Sequence, residues 1–189
     1  RWPKEGRICF ILAGDIVYDM ANDVPRPEVS TGELVNGSDI DLVVVTTRVP
    51  QHADPVRTAL EAGKQVYCEW PLGRTLEEAV ELAALARVKG RRTVTSSQAR
   101  FSPVVRQLRQ LIADGHIGRV LSTRISGHVD NLGPTVTDLA GERYLRERRN
   151  GANLLTIPFG HMMAALREVL GGIADVSATF DVQYPQVRV

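Results

Sequence analysis

What this chain has little of already narrows what it does. Two cysteines, Cys9 and Cys68, stand in 189 residues. That excludes a disulfide framework and leaves stability to a packed core. Both read as small apolar core residues rather than redox groups, and such usage fits a reducing, cytoplasmic setting. Neither sign of charge dominates: 23 basic against 22 acidic residues give a net charge of +1. Direct nucleic-acid binding and attachment to an anionic membrane therefore have no electrostatic drive. No apolar run approaches the roughly 20 residues that cross a bilayer, and Arg1-Trp2-Pro3-Lys4-Glu5-Gly6 opens no signal peptide. A Gly-x-Ser-x-Gly nucleophile elbow is absent. His116 and His128 lack cysteine or carboxylate neighbours at ligand spacing, so no metal site is expected.

What is present is a core-forming composition, 43% hydrophobic and 24% charged. Its most informative stretch is Val66-Tyr67-Cys68-Glu69-Trp70-Pro71-Leu72-Gly73, one helix's length after Asp39-Ile40-Asp41-Leu42-Val43-Val44-Val45-Thr46-Thr47. Two apolar runs that flank a helix and end in polar residues predict a β-α-β unit with functional groups at its strand tips, where open parallel sheets bind nucleotides. The expected strands are 8–12, 42–46, 65–69 and 92–97. Helices are expected over 50–62, with Gly63 as its stop, and from Thr75 to about Lys89. Thr75-Leu76-Glu77-Glu78 reads as a capping box. The stripe of that helix is read as Leu76, Val80, Ala83 and Ala86. Beyond Ser102-Pro103, which suit a helix start, a helix to Ile112, a strand over 120–128, a loop over 130–150, a helix over 153–170 and an alternating strand over 174–184 are predicted. The fold class is thus α/β, with parallel strands first and an open-faced antiparallel sheet afterwards.

The order of these elements resembles a known family. Thr46-Thr47, Pro50-Gln51-His52, Glu69-Trp70-Pro71-Leu72, Gln98-Ala99-Arg100-Phe101-Ser102-Pro103 and Gly118-Arg119-Val120 follow one another. Asn150-Gly151-Ala152-Asn153-Leu154-Leu155-Thr156-Ile157-Pro158-Phe159-Gly160-His161 comes last. The series is similar to the glucose–fructose oxidoreductase, inositol dehydrogenase and rhizopine-catabolism family (Gfo/Idh/MocA) over about residues 35 to 189. Its Glu69-Trp70 pair resembles the branch that contains the galactose-pathway transcriptional repressor. The resemblance implies a partial Rossmann domain over residues 1–100 that binds NAD or NADP. An incomplete α/β domain over 101–189 follows, bearing a sugar-like ligand and pairing two copies through its sheet. The glycine-rich turn Gly-x-Gly-x-x-Gly is missing from residues 1–41, as is a convincing acidic residue for the ribose. The chain therefore reads as a fragment with little dinucleotide affinity of its own.

Hydride transfer from a sugar or polyol also moves a proton, and a placed acid or base is worth about 10²–10⁴ in rate. The resemblance puts a lysine where Trp70 stands and an aspartate where Ile157 stands. Indole is only a neutral donor. Lys64 lies six strand residues from Trp70, about 20 Å away at ~3.3 Å per residue. Arg74 stays charged near neutral pH and cannot shuttle a proton. His161 remains as the candidate catalytic residue; its alternative is a satisfied histidine at the edge of an apolar helix. Thr46, Thr47, Arg48, His52, Glu69, Trp70, Pro71, Gln98 and Arg100 are the candidate coenzyme residues. His52 reads equally as a solvent-facing helix-start residue, and Arg100 as one half of an ion pair. Two functions follow: an NAD(P)-dependent sugar or polyol oxidoreductase, or a catalytically silent dinucleotide sensor that regulates transcription through a protein partner.

Overall fold

The computed structural model describes residues 7–11, 17–19, 24–26, 30–38, 40–128, 134–136, 143–182 and 184–188, with backbone alone for the first three stretches. It forms two compact units. The first runs to Ser96 and takes back Arg149–Gly151; the second comprises Ser97–Arg148 and Ala152–Val189.

The first unit is a six-stranded sheet in the order β3-β2-β1-β4-β5-β6. Its strands are β1 (Arg7–Ile11), β2 (Val17–Asp19), β3 (Val24–Arg26), β4 (Ile40–Val45), β5 (Gln65–Glu69) and β6 (Thr93–Ser96). β1, β4, β5 and β6 are parallel, with Val43 opposite Val66 and Cys68 opposite Thr95. β2 and β3 run antiparallel. Asp19 ends β2 but pairs with Cys9 in the middle of β1.

Residue chemistry explains the parallel half. Val43 and Val45 of β4 and Val66 and Cys68 of β5 are buried and share one core, while Val44 turns to the other face and is buried there. A β-branched run covered on both sides is what a parallel strand requires. Helix α1 (Thr31–Asn36) opens on a full capping box between Ser30 and Glu33. Helix α2 (Ala53–Glu61) contributes Val56, Ala59 and Leu60 to the core, and Gly63 follows it at φ 78°. Leu60 is fully buried, a contribution of about 2–3 kcal/mol. The Cys68 thiol is likewise enclosed, and burial first, then the Glu69 charge, push it up to about 12. It is a core residue, as expected; the Cys9 side chain lies outside the described residues.

Helix α3 (Leu76–Val88) corrects two expectations. Its core contacts are Leu82 and Ala86, whereas Leu76 and Val80 are exposed. Apolar residues surround this helix, so periodicity alone does not select a face. Thr75 does accept from the Glu78 N–H at 3.2 Å. The Glu78 carboxylate, however, reaches past Thr75 to the Arg74 N–H at 2.6 Å and to the Arg74 guanidinium at 2.9 Å.

The second unit holds α4 (Pro103–Ala113) and α5 (Pro158–Leu170), which pack together. Ser102 occupies the cap of α4, but its side chain makes no capping bond. Residues 153–157 form turns on the Asn153 side chain, which accepts from the Leu155 and Thr156 N–H groups. The helix starts only at Pro158, whose missing N–H suits a first turn. The antiparallel sheet expected here is not found among the described residues. Neither 120–128 nor 174–182 joins a ladder, and a single parallel bridge links Thr135 to Arg188. The first stretch lies instead against α5, where a Cβ on Gly127 would stand 2.9 Å from the Met162 sulfur. In the second, Val176, Phe180 and Val182 are exposed. Alternation selects a strand only when a neighbouring strand completes its hydrogen bonds. Of the 130–150 stretch, 130–133 and 137–142 lie outside the described residues; Arg143 pairs with Glu147 at 3.6 Å.

Candidate functional site at the carboxyl edge of the sheet

Seven candidates follow β4 and β5 at one edge of the first unit. Thr46 follows β4 directly. Thr47 is buried, and its hydroxyl donates to the Gln51 carbonyl at 3.2 Å. Arg48 is exposed and precedes a 3-10 turn over Val49–Gln51. Glu69 closes β5 in an exposed position, and Trp70 is half-buried. The Trp70–Pro71 bond is cis.

His52 differs from the solvent-facing reading. It is 1% exposed, with Nδ1 at 2.7 Å from the Pro71 carbonyl and Nε2 at 2.8 Å from the Thr47 carbonyl. The imidazole joins the loop after β4 to the loop after β5. His52 follows directly on the 3-10 turn Val49–Gln51; the sequence reading offered a coenzyme contact or a solvent-facing position, and its spacing did not show this burial.

Lys64 precedes β5, and its ammonium donates to the Gly37 carbonyl ahead of β4 at 2.7 Å. It belongs to the amino edge of the sheet, which removes it from the candidate site.

Arg74 and Glu78 escaped notice as a tie between the β5 loop and α3. Burial alone raises the Glu78 carboxyl, but the Arg74 hydrogen bonds and charge outweigh it and hold the group below the usual carboxylate range. The stabilisation is complete above the unfolded carboxyl's range and is lost as pH falls through the folded value. Glu78→Gln should lower Tm by a few degrees at neutral pH, and the difference from wild type should vanish in acid. Parallel melting curves across pH check this; a deficit that persists in acid contradicts it.

The remaining candidates belong to the second unit. Gln98 and Arg100 lie in a 3-10 turn, Gln98–Phe101. The Arg100 guanidinium bonds Glu168 of α5 at 3.1 Å and lies 5.1 Å from the Phe101 ring centre. Its ion-pair reading therefore has a partner, and four of its five N–H donors are not used in that bond. His161 sits one turn inside α5, with Ile157 accepting its backbone N–H at 3.1 Å. Seven residues separate His161 from Glu168, so both project from one face of the helix. The His161 Nδ1 atom is buried and has no hydrogen-bond partner among the described residues. An unsatisfied buried imidazole nitrogen is costly and calls for a ligand atom. A groove of about 350 Å³ beside α5 is lined by Ile125, Leu155, Phe159, Met162 and Leu166. Such walls do not recognise a polyol. No group of three or more potential metal ligands occurs among the described residues.

Comparison with known proteins agrees with this arrangement. Residues 19–97 match the family model described as the oxidoreductase family with an NAD-binding Rossmann fold. Residues 103–189 match the C-terminal domain of Gal80p. "Dehydrogenase aclE" of Aspergillus oryzae is 32% identical over 175 residues, which cover 88% of this chain and 45% of that protein. The 1,5-anhydro-D-fructose reductase of Ensifer adhaerens is 36% identical over 153 residues, 81% of this chain and 44% of the reductase. The solved structure of the transcriptional regulator Gal80p from Kluyveromyces lactis superposes with a TM-score of 0.68 at 30% identity, over 73% of this chain and 36% of that one. The chain thus spans less than half the length of these relatives. Two successive family models and relatives of both kinds lead to one statement: the chain belongs to the Gfo/Idh/MocA oxidoreductase family, with a nicotinamide-dinucleotide-binding Rossmann half followed by a half of the Gal80p C-terminal type.

Proposed function

We propose that the protein is an NAD(P)-dependent oxidoreductase that acts on a sugar or polyol by hydride transfer. The observation that carries this reading is the gathering of Thr46, Thr47, Arg48, Glu69, Trp70 and Pro71 at the carboxyl tips of two adjacent parallel strands. These groups suit the ribose and nicotinamide half of a dinucleotide: hydroxyls and a carboxylate for sugar hydroxyls, a neutral indole wall for a flat ring, and an exposed guanidinium for an anion. A bound nicotinamide coenzyme would supply hydride acceptance. The chain's own residues position it and handle the proton. Glu69 accepts hydroxyl hydrogens and Trp70 excludes water. The free Nδ1 of His161 is the atom that takes the proton of the substrate hydroxyl.

A second reading has its own support. Trp70 and Ile157 stand where the family resemblance puts a lysine and an aspartate, and the second half matches the Gal80p domain. Both changes remove proton-transfer groups and keep the dinucleotide edge, as a sensor acting through a protein partner would require.

The test is calorimetry of the whole protein with NAD and with NADP, followed by turnover on a panel of sugars and polyols. Saturable binding of one dinucleotide with turnover supports the enzyme. Binding without turnover supports the sensor, and absence of binding overturns both.

A further inference from the structure

The second unit carries a polar groove of about 510 Å³ whose charges do not balance. It is lined by Arg100 and Phe101 of the 3-10 turn, by Arg106, Arg109 and Gln110 of α4, and by Glu168 of α5. Arg109 and Gln110 follow Arg106 at helical spacing, so the three share one face of α4. Helix α4 holds no acidic residue. Asp114 at its end takes the Gln110 side chain at 2.8 Å and does not line the groove. Three guanidiniums therefore meet one carboxylate. One Glu168 oxygen accepts from Arg100 at 3.1 Å and the other from Arg109. The Arg106 guanidinium makes no ion pair or hydrogen bond among the described residues. Its central carbon lies 5.8 Å from the Phe101 ring centre, and that of Arg100 lies 5.1 Å from it.

We propose that this groove binds a phosphate monoester group. Three arginines against one glutamate leave two positive charges, and a phosphate monoester carries about −1.5 to −2 at neutral pH, with three acceptor oxygens. A single carboxylate would cancel only half of that excess. A guanidinium presents five donors in a planar fork that meets phosphate oxygens two at a time. Arg100 and Arg109 each use one donor on Glu168, and Arg106 uses none. The Phe101 ring, 51% exposed, attracts the Arg100 and Arg106 guanidiniums and limits their freedom before a ligand arrives. Like charges gathered in one groove repel each other, and a dianion relieves that repulsion. The volume falls within the roughly 300–1,000 Å³ of small-molecule sites, so a sugar-sized body fits beside the phosphate. The site lies within the second unit and rests on no part of the coenzyme reading. Only the choice of a sugar as the phosphate's carrier rests on the substrate reading.

Calorimetry of the whole protein, without dinucleotide and at about 0.15 M salt, tests the site with inorganic phosphate and with glucose 6-phosphate. Saturable binding with a dissociation constant of about 1 mM or below is expected for at least one of them. Arg106→Gln should weaken it by about tenfold or more, the loss expected for one charge-assisted contact. Arg87→Gln removes an exposed arginine of α3, and with it the same charge, and should leave binding unchanged. Glucose 6-phosphate that binds about tenfold tighter than phosphate identifies a sugar phosphate as the ligand, and equal affinities identify free phosphate. Either result supports the site. Failure of both probes to saturate overturns it, as does an equal loss in the two variants, which marks a general charge effect. Should Arg106→Gln not fold, the arginine side-chain proton–nitrogen spectrum of the unaltered protein decides. An Arg106 signal that moves on addition of phosphate supports the site, and one that stays still overturns it. Phosphate binding in a protein that takes no dinucleotide leaves the groove standing and removes the coenzyme reading alone.

Discussion

Replacing Gly151 by alanine is expected to cost about 3 kcal/mol or more of stability, the sum of backbone strain and overpacking. Gly151 is buried at φ 64°, a conformation that costs an L-residue roughly 1–2 kcal/mol. An added Cβ would also meet Arg74 backbone, 2.5 Å from its Cα and 2.7 Å from its carbonyl carbon. Backbone atoms cannot rotate aside as a side chain would, and Arg74 is itself fixed to Glu78 by three hydrogen bonds at 3.2 Å or less. Gly90 is the control: its φ is 63° and nothing lies within 4 Å of the added carbon. Gly90→Ala should cost only the strain, about 1 kcal/mol. Urea denaturation of both variants reads the difference, and equal losses would show that the Arg74 contact does not exist.

His161→Ala should lower turnover of the whole protein by about 10²–10⁴, the usual worth of a positioned proton carrier, while dinucleotide binding changes little. His161 offers a buried Nδ1 without a partner among the described residues, Ile157 gives it no carboxylate to lean on, and Trp70 is not a base. With Trp70 and Ile157 at the positions where the resemblance puts a lysine and an aspartate, the reaction has few alternative routes for its proton. Steady-state kinetics beside calorimetry check this. A variant that keeps full turnover removes His161 from the mechanism, and a wild type with binding but no turnover moves the protein to the sensor reading.

The parallel half was legible because its pattern needs no distant partner. A β-branched run and a Gly stop set β4 and β5 to within two residues, while α2 starts at Ala53, three residues after the expected Pro50, behind a 3-10 turn. The family motifs then ordered the candidates around them. The side on which α3 packs was not legible, since Leu76, Val80 and Leu82 satisfy helical spacing on different faces. The strands read over 120–128 and 174–184 are not found among the described residues, for a related reason: alternation marks willingness to pair, and pairing depends on what lies alongside. At the site, residue type located Thr46, Glu69 and Trp70 on strand tips. It could not show that the His52 ring turns inward to two carbonyls, nor that Glu78 passes Thr75 to grip Arg74, because both depend on loop paths rather than spacing.

The return of Arg149–Gly151 to the first unit sets the order of assembly during synthesis. A nascent chain released to fold after residue 100 has all six strands but not the buried glycine that seats against Arg74. Its nucleotide-binding half stays unfinished until some fifty further residues have left the ribosome.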